Sequence, residues 1–98
     1  MEIIKNLDGD NLFVELIGRL DTTTAPQLET SLKESIDNAK TLVLDFKQLE
    51  YISSAGLRVL LFAQKVMNNQ GDMKIVNAND EIKEVFEITG FNDILKVE

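Results

Sequence analysis

The sequence predicts an α/β fold, namely a small mixed β-sheet that helices cover mainly on one side. Two apolar stretches near the N-terminus, Glu2–Lys5 and Asn11–Ile17, are joined through an Asp-Gly pair that is typical of a β-hairpin. Helix-like and strand-like patterns then alternate, which favours parallel strands. With 98 residues the chain can bury a sizeable core but has no room for a second domain. We therefore expect one domain over residues 1–98.

The second strand of this hairpin is apolar in both of its alternating sets of side chains. Its two faces carry Leu12, Val14 and Leu16, and Phe13, Glu15 and Ile17, respectively. A strand with two apolar faces is usually covered on both sides. We therefore expect at least partial cover on both faces and a place near the middle of the sheet.

A first helix is predicted to begin at the threonine run before Pro26. Threonine is a good helix cap, and proline suits the first helical position because its missing N–H would be unpaired there. Apolar residues then recur every four positions until about Asn38, at Leu28, Leu32 and Ile36. This spacing predicts a helix with one buried stripe.

A second helix, expected from about Ser54 to Asn69, follows a central strand at Thr41–Phe46 that is apolar on both faces apart from Asp45. The helix carries more apolar surface than one sheet face can cover. Its second face can pack on the first or the last helix, or part of it, near Arg58 and Phe62, can stay exposed as a partner-binding patch. Both interpretations can hold together.

Turn and cap residues define the last third of the chain. Gly71 predicts a left-handed cap after the second helix, and a short strand follows over Met73–Asn77. Asn79 or Asp80 then caps a third helix, which Gly90 ends. Beyond it, an amphipathic tail is expected to form one further pair of helical turns packed on the core.

Composition excludes several classes of function. The chain has no cysteine and no histidine, which removes disulfides, thiol nucleophiles and the commonest general base and metal ligand. Its net charge of −7 would repel nucleic acid, so a basic protein surface is the better candidate partner. No apolar run is long enough for direct membrane insertion, and no signal-peptide pattern is present. We expect a cytoplasmic protein that uses no metal and no cofactor and is not an enzyme.

The stretch Leu49–Leu61 organises the chain, and its centre is the small run Ser53-Ser54-Ala55-Gly56. An apolar strand leads into this run and an apolar helix leads out of it, which places two serines at a helix N-terminus. Backbone N–H groups there lack intrahelical partners and carry a partial positive charge. A serine in this place is either a simple N-cap or a site for an oxygen or a phosphate.

The segment Tyr51–Leu60 resembles the signature segment of STAS domains, the family of bacterial anti-sigma factor antagonists. Three other stretches are similar to further parts of that family's pattern: Gly18–Asp21 before the first helix, Leu42–Phe46 as the central strand and Phe86–Phe91 as the closing segment. The resemblance spans essentially the whole chain, and the spacings fit throughout. It implies the STAS fold, which has the form predicted above.

The resemblance also implies a phosphorylation switch. In the family, the serine at the position of Ser54 is phosphorylated by a partner kinase, and Ser53 is the neighbouring alternative here. Many phosphorylated members have Asp before that serine and Ser or Thr after it, where this chain has Ser53 and Ala55. The resemblance further implies that the unphosphorylated form binds an anti-sigma factor that is also the serine kinase and thereby frees the sigma factor, and that a metal-dependent serine phosphatase reverses the modification.

Two further expectations follow from the resemblance. The partner-binding surface is expected to include Asp21, Thr22, Thr23, Ser53, Ala55, Gly56, Leu57, Arg58 and Phe62. Asp21 has a second interpretation, as a turn or helix-entry residue. Some STAS domains are unphosphorylated subunits, including small partners of membrane transport ATPases, so a constitutive complex with such an ATPase is the alternative function. No phosphate-binding Gly-x-x-x-x-Gly-Lys loop supports a nucleotide-binding enzyme.

Overall fold

The computed structural model describes residues 1–98, which form four strands, three α-helices and a short 3₁₀ helix. In chain order they are β1 (Glu2–Asp8), β2 (Asn11–Leu20), α1 (Ala25–Ser35), β3 (Thr41–Ile52), α2 (Ser54–Asn68), β4 (Asp72–Val76), α3 (Asp80–Thr89) and the 3₁₀ helix (Phe91–Asp93). The strands form one sheet in the order β1-β2-β3-β4. β1 and β2 are antiparallel, and the other two pairs are parallel. This arrangement confirms the predicted mixed α/β fold.

β2 lies inside the sheet, as predicted, but only one of its faces packs against the helices. Leu12 and Leu16 on the inner face are buried, whereas Phe13 on the outer face is 45% exposed. The buried residues of all three helices join the inner face in a single core cluster. The outer face has partial cover at most, since Glu15 and Ile17 are half-buried there, because a sheet with helices on one side leaves its other side largely in solvent.

The core unites the inner sheet face with the predicted helix stripes. The alternating strand positions and the helix stripes of the sequence predict twelve core residues, and ten of them are buried: Val14, Leu16, Leu28, Leu32, Ile36, Leu42, Leu44, Leu57, Ile75 and Phe86. Leu61 and Val85 are only half-buried. Of the neighbours Leu60 and Leu61 on α2, Leu60 is the fully buried one, because adjacent helical residues point about 100° apart and only one of the two can face the sheet.

The predicted cap residues have the expected geometry in α3 but not at the end of α2. The Asn79 side chain accepts a hydrogen bond from the Ile82 N–H at 2.8 Å, and Gly90 ends α3 with φ = +79°. Gly71 is not left-handed, so the predicted cap after α2 is wrong. Glycine is needed there for another reason: a Cβ would collide with the carbonyl oxygen of Lys40.

The first helix and the C-terminal tail also differ from the prediction. α1 ends at Ser35, before the predicted end near Asn38. After the 3₁₀ helix, Val97 forms a parallel bridge with Ile75 and extends the edge of the sheet, so the second of the two expected helical turns does not form. None of the helices is long and apolar enough to cross a membrane.

Candidate functional site

The candidate site lies where the parallel strands β2 and β3 end side by side. Leu20 pairs with Ile52 at the ends of these strands. The Ser53 N–H then donates a hydrogen bond to the Leu20 carbonyl oxygen at 2.9 Å. Residues 21–24 leave the sheet here towards α1, and residues 53–54 leave it into α2. Strand pairing therefore brings together two loops that are far apart in the sequence.

The two serines of the second loop have different environments. Ser53 is the N-cap of α2: it is half-buried, and its Oγ accepts a hydrogen bond from the Gly56 N–H at 3.4 Å. Ser54 is the first residue of the helix, is exposed and makes no side-chain hydrogen bond. The N-cap interpretation thus applies to Ser53, and the hydroxyl of Ser54 is left free.

Gly56 determines how closely α2 approaches the strand ends. A Cβ at this position would lie 2.7 Å from Leu20 Cγ and 2.9 Å from Ile52 Cγ1, too close for ordinary packing. Gly56 and Leu57 are both buried. These two members of the expected partner-binding set therefore lie beneath the surface and fix the position of the residues above them.

Asp21 organises the loop before α1. Its Oδ1 accepts hydrogen bonds from the Thr23 hydroxyl at 2.7 Å and from the N–H groups of Thr23 and Thr24 at 3.0 and 3.1 Å. The bond from the Thr23 hydroxyl is the main reason that the pKa of the Asp21 carboxyl is lowered; the N–H bonds add to it, and desolvation opposes it. The Thr24 side chain makes no cap hydrogen bond, since its hydroxyl oxygen accepts from the Asp21 N–H at 2.8 Å and its proton goes to the Arg19 carbonyl at 2.8 Å. The predicted threonine therefore occupies the N-cap position without the expected side-chain bond, and the Asp21 side chain bonds the N–H groups of this helix entry instead.

Arg19 and Tyr51 form an exposed pair beside Asp21 that the sequence did not single out. The strand register places them opposite each other, and the Arg19 guanidinium lies 4.4 Å from the centre of the Tyr51 ring. Arg19 Nε is also 3.8 Å from Asp21 Oδ2. Both residues lie in stretches that resemble the family, but their contact depends on the pairing of β2 with β3. Arginine and tyrosine are frequent anchors in protein interfaces.

The outer face of α2 is cationic although the chain as a whole is acidic. α2 contains Arg58 and Lys65 and no acidic residue. Part of its excess apolar surface is packed in the core, where Val59 is buried, while Phe62 is half-buried next to α1, so that its role as a partner-binding patch stays a prediction. There the Nζ of Lys33 lies 5.5 Å from the centre of the Phe62 ring. The net charge suggested a basic partner, but this face attracts acidic groups.

The other expected site residues differ in exposure. The exposed ones are Thr22, Thr23, Ser54 and Arg58, and the half-buried ones are Asp21, Ser53, Ala55 and Phe62. No group of three acidic side chains is placed so that it could hold a metal ion. The expected site residues therefore offer hydroxyl groups, the carboxylate of Asp21 and the guanidinium of Arg58, next to the guanidinium of Arg19.

Such a mixed sheet, with a serine corner at the start of the helix that follows its third strand, defines a STAS domain. The STAS domain family model matches residues 2–98, and the chain belongs to this family. BtrV of Bordetella bronchiseptica, named as an anti-sigma factor antagonist, is 42% identical over 93 residues, which are 93% of this chain and 79% of that protein.

Solved structures share the fold. The unphosphorylated form of the anti-sigma factor antagonist SpoIIAA superposes with a TM-score of 0.85 at 17% identity, covering 99% of this chain and 88% of that chain. The phosphorylated form of SpoIIAA, from Bacillus, superposes with a TM-score of 0.78 at 17% identity, covering 99% and 91%. These superpositions confirm the STAS fold that the sequence predicted.

Proposed function

We propose that this protein is an anti-sigma factor antagonist that phosphorylation of Ser54 switches off. The unphosphorylated form binds an anti-sigma factor that is also a serine kinase, and a sigma factor is thereby released. Phosphorylation of Ser54 ends the binding, and a metal-dependent serine phosphatase restores it. In this scheme the protein is a cytoplasmic binding module and a kinase substrate, and it catalyses no reaction itself.

The observation that carries the proposal is the free hydroxyl of Ser54 at the start of α2. This hydroxyl is exposed and makes no hydrogen bond, whereas the Ser53 hydroxyl is used as the helix cap. A kinase needs a hydroxyl that it can reach and that the fold does not require, which favours Ser54 over Ser53. The name of BtrV, and the existence of SpoIIAA in unphosphorylated and phosphorylated forms, support the same function by relationship.

Charge is the physical basis of the switch. A phosphate adds roughly −1.5 to −2 charges and three acceptor oxygens at neutral pH. Ser54 lies beside the loop of Asp21, a carboxylate that is ionised at neutral pH and whose pKa its hydrogen bonds lower further, so a partner would have to desolvate two negative groups. The N-terminus of α2 itself tolerates negative charge. Phosphorylation is therefore expected to weaken the complex without unfolding the domain.

Labelling by the partner kinase tests the proposal. The kinase is recovered by copurification with the tagged protein from its native cells and is then incubated with ATP and the purified chain. We expect one phosphate, on Ser54, by mass analysis of fragments. Ser54→Ala should abolish labelling and keep the fold and the partner affinity, while the matched control Ser53→Ala should still be labelled. Ser54→Asp should weaken binding to the same partner.

The location of the phosphate separates this proposal from its alternative. Phosphate on Ser53, or on no residue, would overturn the assignment of Ser54 as the switch. A stable complex with a transport ATPase that kinase and ATP do not change would instead support a constitutive STAS subunit.

A further inference from the structure

We infer that Arg58 is the counter-charge of a phosphate on Ser54, and that phosphorylation thereby withdraws Arg58 from the partner. The inference rests on the proposed function, since it takes Ser54 as the modified residue. It adds a second effect to the switch. The phosphate introduces negative charge, and it also pairs with a cation that the unmodified protein presents to its partner.

The geometry of α2 places the two side chains together. The helix runs without a break from Ser54 to Asn68, so Arg58 lies one turn after Ser54. Residues four apart on a helix are neighbours on its surface, and both of these side chains are exposed. The planar guanidinium of arginine also binds two phosphate oxygens at once, which makes it a better partner than lysine.

Arg58 is available for this role because nothing else in the structure binds it. It makes no side-chain hydrogen bond, and the five ion pairs all involve other residues. Arg19, by contrast, is paired with Asp21 and stacked on an aromatic ring. The first turn of α2 contains no acidic residue that would compete with the phosphate.

The free guanidinium also indicates the chemistry of the partner. In the unmodified protein Arg58 is an exposed cation one turn before Phe62, which is half-buried. This pair fits a partner that presents an Asp or Glu side chain next to an apolar contact. Once Ser54 carries a phosphate, the guanidinium pairs within its own helix, and the partner's carboxylate loses its counter-charge.

A titration of the phosphate tests the inference without any kinase. The full chain is produced with phosphoserine at position 54 by site-directed incorporation, and the second pKa of the phosphate is measured by ³¹P NMR. Replacement of Arg58 by glutamine should raise this pKa by about 0.3, the size expected for an exposed ion pair between residues four apart on a helix. Arg58→Lys should raise it less. Lys65→Gln removes the same charge eleven residues from the phosphate and is the matched control, which should change the pKa by less than about 0.1.

Equal pKa values for Arg58→Gln and the wild type, or equal changes for Arg58→Gln and Lys65→Gln, would overturn the inference. The first result means that there is no contact, and the second means that only the net charge acts. Both variants are exposed substitutions, and circular dichroism checks that they fold. Failure of kinase labelling would overturn the proposed function instead, while the titration would still report whether Arg58 meets the phosphate.

Discussion

Helices α2 and α3 begin with the same kind of N-cap but differ in the charge of the first turn and in the residue at the third helical position. Each follows a strand of the parallel part of the sheet, β3 or β4, and each has a side-chain oxygen as its N-cap. The Ser53 Oγ accepts from the Gly56 N–H at 3.4 Å, and the Asn79 Oδ1 accepts from the Ile82 N–H at 2.8 Å. The common construction makes α3 an internal reference for α2.

The difference lies in the first turn. α3 has Asp80 and Glu81 there, whereas α2 has no acidic residue. The partial positive charge at the start of α3 is therefore already compensated, and that of α2 is not. The third helical position differs too, because Ile82 anchors α3 in the core while Gly56 brings α2 against the strand ends. α3 is therefore built for stability, and α2 leaves room for an added negative charge.

The largest effect should come from the anchor of α3. Ile82 is 1% exposed, and Ile82→Ala should lower the free energy of unfolding by about 2–5 kcal/mol, because it removes buried methyl groups and leaves a cavity. Ile88, 76% exposed on the same helix, is the matched control, and Ile88→Ala should stay within about 0.5 kcal/mol. Urea denaturation measures both variants. Similar losses for the two would mean that α3 is not held through Ile82.

Gly56, the third residue of α2, should be sensitive to an added side chain, whereas Ile82 in α3 is sensitive to the loss of one. The Cβ introduced by Gly56→Ala would press on Leu20 and Ile52, which should cost about 1–3 kcal/mol, less up to about 1 kcal/mol for the better helix propensity of alanine. Ser54→Ala makes the same helix-favouring change at an exposed neighbour and should be close to neutral. A Gly56→Ala variant as stable as the wild type would show that α2 does not need this close approach.

The sequence alone was sufficient to predict features that depend on residues close to one another in the chain. The caps at Asn79 and Gly90 were predicted because each acts on its own helix end. Gly71 was misassigned because the atom that requires a glycine belongs to Lys40, distant in the sequence. The open face of β2 was missed for a similar reason. Apolar residues such as Phe13 do not reveal on which side of the sheet the helices will pack.

In the candidate site, too, local motifs could be predicted from the sequence, whereas contacts between distant residues could not. The serine corner and the loop of Asp21 were visible as motifs, and strand pairing brings them together as the resemblance implied. The sequence could not separate the roles of Ser53 and Ser54, since both are good caps and only the backbone decides which one is used. The stacking of Arg19 on Tyr51 was hidden because it depends on the register of two strands.

The two N-caps should differ in strength as their hydrogen bonds differ in length. Asn79→Ala should lower the free energy of unfolding by about 1–2 kcal/mol, since it also removes the bond from Nδ2 to the Leu49 carbonyl at 3.2 Å. Ser53→Ala should cost only about 0.5 kcal/mol because its bond is long. Thermal unfolding of both variants at one pH compares them. A larger loss at Ser53 would mean that the cap of α2 is the stronger of the two.

The smallest effect is the most direct test of the difference between the two first turns. Ser54→Asp should raise the free energy of unfolding by about 0.3–1 kcal/mol at low salt, because the carboxylate meets the uncompensated N-terminus of α2. Asp80→Ser, the reverse change in α3, should lower it by a similar amount.

The pH dependence of the Ser54→Asp variant follows from the same contact. The helix N-terminus favours the ionised carboxylate, so its pKa in the folded state lies below the unfolded value of about 3.9. The gain in stability should therefore be present at neutral pH and be lost as the pH falls from the unfolded pKa of about 3.9 through the lower folded pKa. It should also shrink with added salt. Chemical denaturation of the variant and the wild type across pH 3–7 measures it. If Ser54→Asp is instead destabilising at neutral pH, the start of α2 does not accept negative charge, and a phosphate on Ser54 would act by loosening the helix and not by changing the charge of an intact surface.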